Sequence, residues 1–141
     1  MARRKRIERL KLITRDTDYA VRALVFIAKQ KDKIISVGQL VKALGIPRPF
    51  LRKILQILNK KRILRSYKGQ GGGFTLTRTM DKIFLIDLVE IFQGPIILNE
   101  CIFKKRFCPN IRTCKLKKRI DRIQCYVLSE LKNITLASLL K

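Results

Sequence analysis

Histidine is absent from the 141 residues, and with it go the commonest general base and the commonest nitrogen ligand of metals. That absence weakens an enzymatic reading, which has no plausible acid–base pair to rest on, and equally a mixed Cys/His zinc site. Acidic side chains are scarce: 10 Asp and Glu stand against 33 Lys and Arg, for a net charge of +23. None occurs between Asp32 and Asp81, a stretch that carries Lys33, Lys42, Arg48, Arg52, Lys53, Lys60, Lys61, Arg62, Arg65, Lys68 and Arg78. No segment approaches the roughly 18 to 20 continuous apolar residues of a spanning helix, so no membrane partner is expected. The basic opening MARRKRIERLKL has no apolar run or small-residue cleavage site of a secretory signal. A cytoplasmic location is the expectation, one where thiols stay reduced and a disulfide framework does not form.

What is present points to a folded polyanion binder. Hydrophobic residues make up 47% of the chain, enough for one domain with its own core. The charge excess is larger than solubility requires and is best matched by phosphate. A solvated helix face usually mixes signs, because opposite charges at i,i+4 support the helix, and the acid-free stretch does not. Aromatic residues are not interleaved through that stretch as base stacking on single strands requires, which favours a duplex.

The order of elements narrows this further. Residues 17–30 place apolar side chains at 20, 23, 24, 27 and 28, one buried helix face, with Asp16 or Thr17 as the cap. Ser36 and Gln39 form an S-x-x-Q capping box for a short helix through Leu44. Gly45 ends it, and Ile46-Pro47 cannot continue it. Pro49 suits the first turn of a second helix that turns Leu51, Ile54, Leu55 and Leu58 inward. Two helices joined by so tight a turn are a helix-turn-helix. Residues 63–67 and 74–77 then alternate as strands around KGQGGG, a hairpin turn. A phosphate cradle of the NTPase kind is excluded there, because no Gly-Lys-Ser/Thr closes the run. The expected fold is mainly α with a small β-hairpin wing, a winged helix-turn-helix.

Cys101, Cys108 and Cys114 lie outside this reading head, spaced C-x6-C-x5-C in CIFKKRFCPNIRTC. Three thiols close in sequence in a basic segment suggest a bound metal cluster, since soft thiolates suit iron–sulfur centres. Zinc and idle thiols are the alternatives. Cys125 follows on a helix, off its apolar stripe. That helix places Leu116, Ile120, Ile123, Val127, Leu131 and Ile134 at spacings of three and four. A single stripe with no further domain to cover it predicts packing against a second copy, with packing back onto the winged helix as the alternative.

TDYAVRAL, LGIPRPFLRKILQILNKKRILRSYKGQGGGFTLTR, FLIDLVEIFQGPIILNEC and the three cysteines, taken together, resemble the Rrf-two family of bacterial winged-helix regulators over nearly the whole chain. The resemblance implies a homodimer on double-stranded promoter DNA, acting as a repressor under control of an iron–sulfur cluster that senses nitric oxide, redox or iron–sulfur status. Some members lack the cysteines. In one family pattern a histidine three positions after the third cysteine completes the ligand set; here that place holds Lys117. In the other an aspartate of the first helix, within TD-x-A, reaches the partner subunit's cluster. Asp18 holds that place, so Cys101, Cys108, Cys114 and Asp18 are the implied cofactor ligands, with [4Fe-4S] favoured over [2Fe-2S].

The organisation expected from these readings is a basic arm over residues 1–12, a winged helix-turn-helix over 13–80, and a cysteine loop with a C-terminal dimerisation helix over 81–141. Arg48, Arg52, Lys53 and Gln56 are the expected recognition surface, and Lys68, Gln70, Gly71 and Gly72 the wing contacts to minor groove or backbone. Two readings compete: a cluster-free winged-helix repressor governed by a metabolite or partner protein, and, from another class, a zinc-binding RNA-binding or interaction protein.

Overall fold

A computed structural model describes residues 11–31, 33–98 and 114–140, and over these the chain runs α1 (Arg15–Lys29), α2 (Val37–Leu44), α3 (Arg48–Lys60), β1 (Leu64–Tyr67), β2 (Gly73–Leu76), α4 (Leu85–Gln93) and α5 (Lys115–Asn133). Single 3-10 turns precede α4 at Met80–Lys82 and follow α5 at Leu136–Leu139. The first unit forms as its caps and stops dictate. Ser36 Oγ accepts the Gln39 N–H at 3.1 Å and Gln39 Oε1 accepts the Ser36 N–H at 2.9 Å, so two orphan donors of α2 are satisfied reciprocally. Gly45 at φ 67° ends α2 in the left-handed region, where a side chain is disfavoured. Pro49 lies in the first turn of α3, and Leu51, Ile54, Leu55 and Leu58 are its buried face.

The N-terminus of α1 differs from expectation. The helix begins at Arg15 with Thr14 as N-cap, ahead of Asp16 and Thr17. This end is braced from a distant part of the chain. Gln93 at the end of α4 accepts the Thr14 N–H at 2.9 Å and the Thr17 hydroxyl at 2.7 Å through Oε1, and donates to the Leu12 carbonyl at 3.0 Å through Nε2. Thr17 is fully buried and this bond meets its hydroxyl's need for a partner.

The hairpin is antiparallel, pairing Leu64 with Leu76 and Tyr67 with Gly73; β1 starts one residue later than expected and β2 lies one residue earlier. Ile35 adds a bridge on the outer edge of β2, exchanging hydrogen bonds with Phe74 of 3.0 and 2.8 Å. The wing is thereby fastened to the chain entering α2. A similar clasp fixes the far end: Leu85 N–H donates to Ile134 and Leu136 N–H to Ile83, both at 2.9 Å. Leu136 is fully buried in the same core as Leu24, Leu40, Leu51, Leu55 and Leu88, so buried apolar packing runs continuously across residue 80 and holds the end of α5 against the winged helix.

Candidate nucleic-acid interface

On α3 the core takes one face and leaves Arg48, Arg52, Lys53 and Gln56 exposed. No acidic residue lies in its first turn and no side chain caps it. Arg52 and Gln56 line a cleft of about 470 Å³ whose opposite wall is the wing, formed by Ser66, Tyr67, Lys68, Gly69, Gly72 and Phe74. Recognition-helix and wing candidates therefore converge on one concave, cationic surface. Lys53 sits on the outward side of α3, and Gln70 and Gly71 at the exposed wing tip. Arg48 turns toward α2, close enough that a Cβ built on Gly38 would lie 3.7 Å from its guanidinium.

The wing glycines divide by role. Gly69 and Gly71 have φ of 87° and 72° with open space around them, the backbone freedom a tight turn needs. Gly72 is packed: a Cβ there would sit 2.3 Å from the Tyr67 carbonyl oxygen. Close approach of the chain to itself is thus sufficient reason for glycine at 72.

Several residues at this surface were not singled out from sequence. Asn59 lines the cleft one turn beyond Gln56, and its i+3 spacing from Gln56 was the available signal. On the other flank of α3, the Arg15 guanidinium lies 4.9 Å from the centre of the exposed Phe50 ring. Phe50 stands off the apolar stripe of α3, which marks it as a surface aromatic, whereas nothing in the sequence pairs it with Arg15.

Of the cofactor candidates, Cys101 and Cys108 lie outside the described residues. Cys114 is the N-cap of α5, its half-buried sulfur accepting the Lys117 N–H at 3.4 Å. Asp18 is in the first turn of α1, partly exposed, and bonds Arg22 at 2.9 Å. Lys117 forms an ion pair with Asp121 at 2.6 Å, and Cys125 is exposed. No group of three or more Cys, Asp or Glu side chains suited to a metal ion occurs among the described residues. Nor is any helix among them long and apolar enough to cross a membrane.

Comparison with known proteins fits this geometry. A protein named as an HTH-type transcriptional regulator in Aquifex aeolicus is 29% identical over 124 residues, 86% of each chain. The aau3 protein of Rhizobium meliloti is 28% identical over 130 residues, 92% of this chain and 84% of that one. Among solved structures, CymR, the global cysteine regulator of Bacillus subtilis, superposes with a TM-score of 0.74 at 22% identity, covering 94% of this chain and 97% of its own. IscR of T. potens gives 0.70 at 21% identity, with 93% and 86% covered. These likenesses share the winged-helix fold. Residues 13–141 match the profile of the Rrf2 family, described as iron-dependent transcriptional regulators. Members of that family are DNA-binding regulators of transcription rather than enzymes. The chain belongs to the Rrf2 family of transcriptional regulators.

Proposed function

We propose that this protein is a homodimeric repressor of the Rrf2 type, reading a two-fold promoter site and controlled by an iron–sulfur cluster on its cysteine loop. The observation that carries the DNA-reading part is the cleft in which Arg52 and Gln56 of α3 face Lys68 of the wing, within a stretch free of acidic residues. Gly72 lines the same cleft, and Arg48, Lys53, Gln70 and Gly71 extend that surface. In a winged helix the N-terminal half of the recognition helix lies nearest the base edges, and a dimer presents two such helices to successive major-groove faces, ~34–36 Å apart. The second copy is argued from α5. Among its 19 residues only Leu131 is buried, while Leu116, Ile123 and Tyr126 are 67%, 53% and 68% exposed.

The cluster reading rests on donor chemistry. Three cysteine sulfurs would hold iron, and Asp18 of the partner subunit would supply the oxygen. Among the described residues Asp18 is engaged in a surface ion pair with Arg22, the kind worth about 0–1 kcal/mol, so its release for ligation costs little. Lys117, where one family pattern has histidine, is committed to Asp121. When bound, such a cluster supplies a centre responsive to redox state, nitric oxide or iron supply.

Anaerobic purification followed by iron, sulfide and zinc analysis and a visible spectrum tests this. Cys101→Ala, Cys108→Ala and Cys114→Ala should each lose iron and sulfide while remaining folded, Cys125→Ala should retain them, and Asp18→Ala should lose them faster. Equal loss from Cys125→Ala overturns the ligand assignment. A native protein free of iron and zinc replaces the cluster reading with control by a metabolite or partner protein; CymR, an equally similar fold, is named for cysteine.

A further inference from the structure

The surface described above has a side that neither the wing nor the expected recognition residues account for. Successive residues of a helix are rotated by about 100°, so Phe50 and Arg52 stand about 160° apart around α3. Arg52 looks into the wing cleft; Phe50 looks the other way, toward the start of α1. There it is 42% exposed, a large apolar side chain in the first turn of the helix whose neighbour Leu51 already occupies the core. The Arg15 guanidinium covers the ring at 4.9 Å. Asp18, three residues on, is bonded to Arg22, and Arg15 pairs with no carboxylate among the described residues.

A cation held over an aromatic ring spends none of its N–H groups on a carboxylate, and those of a guanidinium suit phosphate. An arginine held this way is pre-organised, losing less side-chain freedom when an anion arrives. The ring it rests on keeps an exposed apolar edge, and the one apolar feature a B-DNA base pair offers in the major groove is the thymine C5 methyl, which phenylalanine is suited to contact. The placement of the two groups is complementary. Lys68 and the wing lie on one flank of α3 and Arg15 on the other, so that both backbone walls of a groove occupied by α3 would meet a cation.

We propose that Arg15 and Phe50 form a second DNA-reading element, in which Phe50 selects a thymine at the outer end of each half-site and Arg15, positioned on its ring, grips the adjacent phosphate. This rests on the DNA-binding reading given above, and the test separates the two. Native protein first selects duplexes from a random 30-base-pair library, and failure to enrich any sequence is a failure of that reading. On the selected duplex, each thymine in turn is replaced by deoxyuridine, which removes only the methyl group. The native protein should lose about fourfold in affinity at one position per half-site, the worth of one buried methyl, whereas Phe50→Ala should bind weaker overall and be indifferent to that replacement. Phe50→Leu, which keeps an apolar contact without a ring face, should retain methyl sensitivity. Arg15→Ala should weaken selected and scrambled duplexes alike and flatten the slope of log K against log salt by about 0.9 per protomer. Unchanged deoxyuridine sensitivity in Phe50→Ala, or an unchanged salt slope in Arg15→Ala, overturns the proposal.

Discussion

Single residues already separate what composition conveys from what packing decides. The run GQGGG reads as a flexible hairpin tip, and for Gly69 and Gly71 that is the right physics. For Gly73 it is not, because a Cβ there would lie 2.3 Å from the Ile35 carbonyl oxygen and 2.6 Å from its carbon. The close approach is to a strand segment 38 residues earlier in the chain, and no local pattern marks it. Gly73→Ala should therefore push the wing from Ile35, break the paired hydrogen bonds to Phe74, and cost roughly 2–3 kcal/mol, an overpacking penalty of ordinary size. Urea unfolding measures it; a loss below about 0.5 kcal/mol would mean the wing moves aside freely. The opposite sign is expected at Arg62, which holds φ 59° after α3 while its carbonyl accepts the Thr77 hydroxyl. A left-handed conformation costs a non-glycine residue about 1–2 kcal/mol. Arg62→Gly should thus stabilise the free protein by up to about 1 kcal/mol, the balance going to the extra freedom of glycine in the unfolded chain, even though it removes one cation.

Elements were legible to the degree that their determinants are local. The capping box of α2, the Gly45 stop and the apolar face of α3 are set within a few residues, and each is found where its spacing places it. The start of α1 lies at Thr14, a residue type that caps helices well, and Gln93 braces it from a distance that no local pattern shows. That side chain holds three groups of the N-terminal segment at once, joining the end of α4, which precedes the cysteines in sequence, with the first turn of α1, which carries Asp18 and Arg15. Gln93→Leu should leave the Thr14 N–H without its acceptor and the buried Thr17 hydroxyl with only its longer 3.2 Å contact to the Thr14 hydroxyl, a loss of about 1–3 kcal/mol. Gln93→Glu keeps an acceptor for both groups and exchanges the bond to the Leu12 carbonyl for an oxygen–oxygen repulsion at the exposed side, so its loss should be the smaller of the two. Thermal unfolding of both variants decides the point, and equal destabilisation would show that shape rather than hydrogen bonding makes Gln93 necessary.

At the scale of the molecule, the C-terminal helix performs two kinds of packing, and the stripe seen in sequence did not reveal the division. Toward its end, Leu131 is buried and Leu136, just beyond, enters the core of the winged helix, fixed by the paired hydrogen bonds between Ile83–Leu85 and Ile134–Leu136. Toward its start, Leu116 and Ile123 belong to the same stripe and are more than half exposed. Packing back onto the winged helix thus holds for the end of the stripe, while the exposed remainder is where the proposed second copy would sit. If the remainder meets a second copy, a charge at its centre should separate the protomers without unfolding them. Ile123→Glu should sediment as a monomer at micromolar concentration with native circular dichroism, since its anchoring residues are untouched. Its affinity for a two-fold duplex should fall at least 10²-fold, the usual loss when two linked contacts become one, while its affinity for a single half-site should match that of the native protein. Retention of the dimer in Ile123→Glu would place the interface on another surface and leave the spacing of the two reading heads to be explained by it.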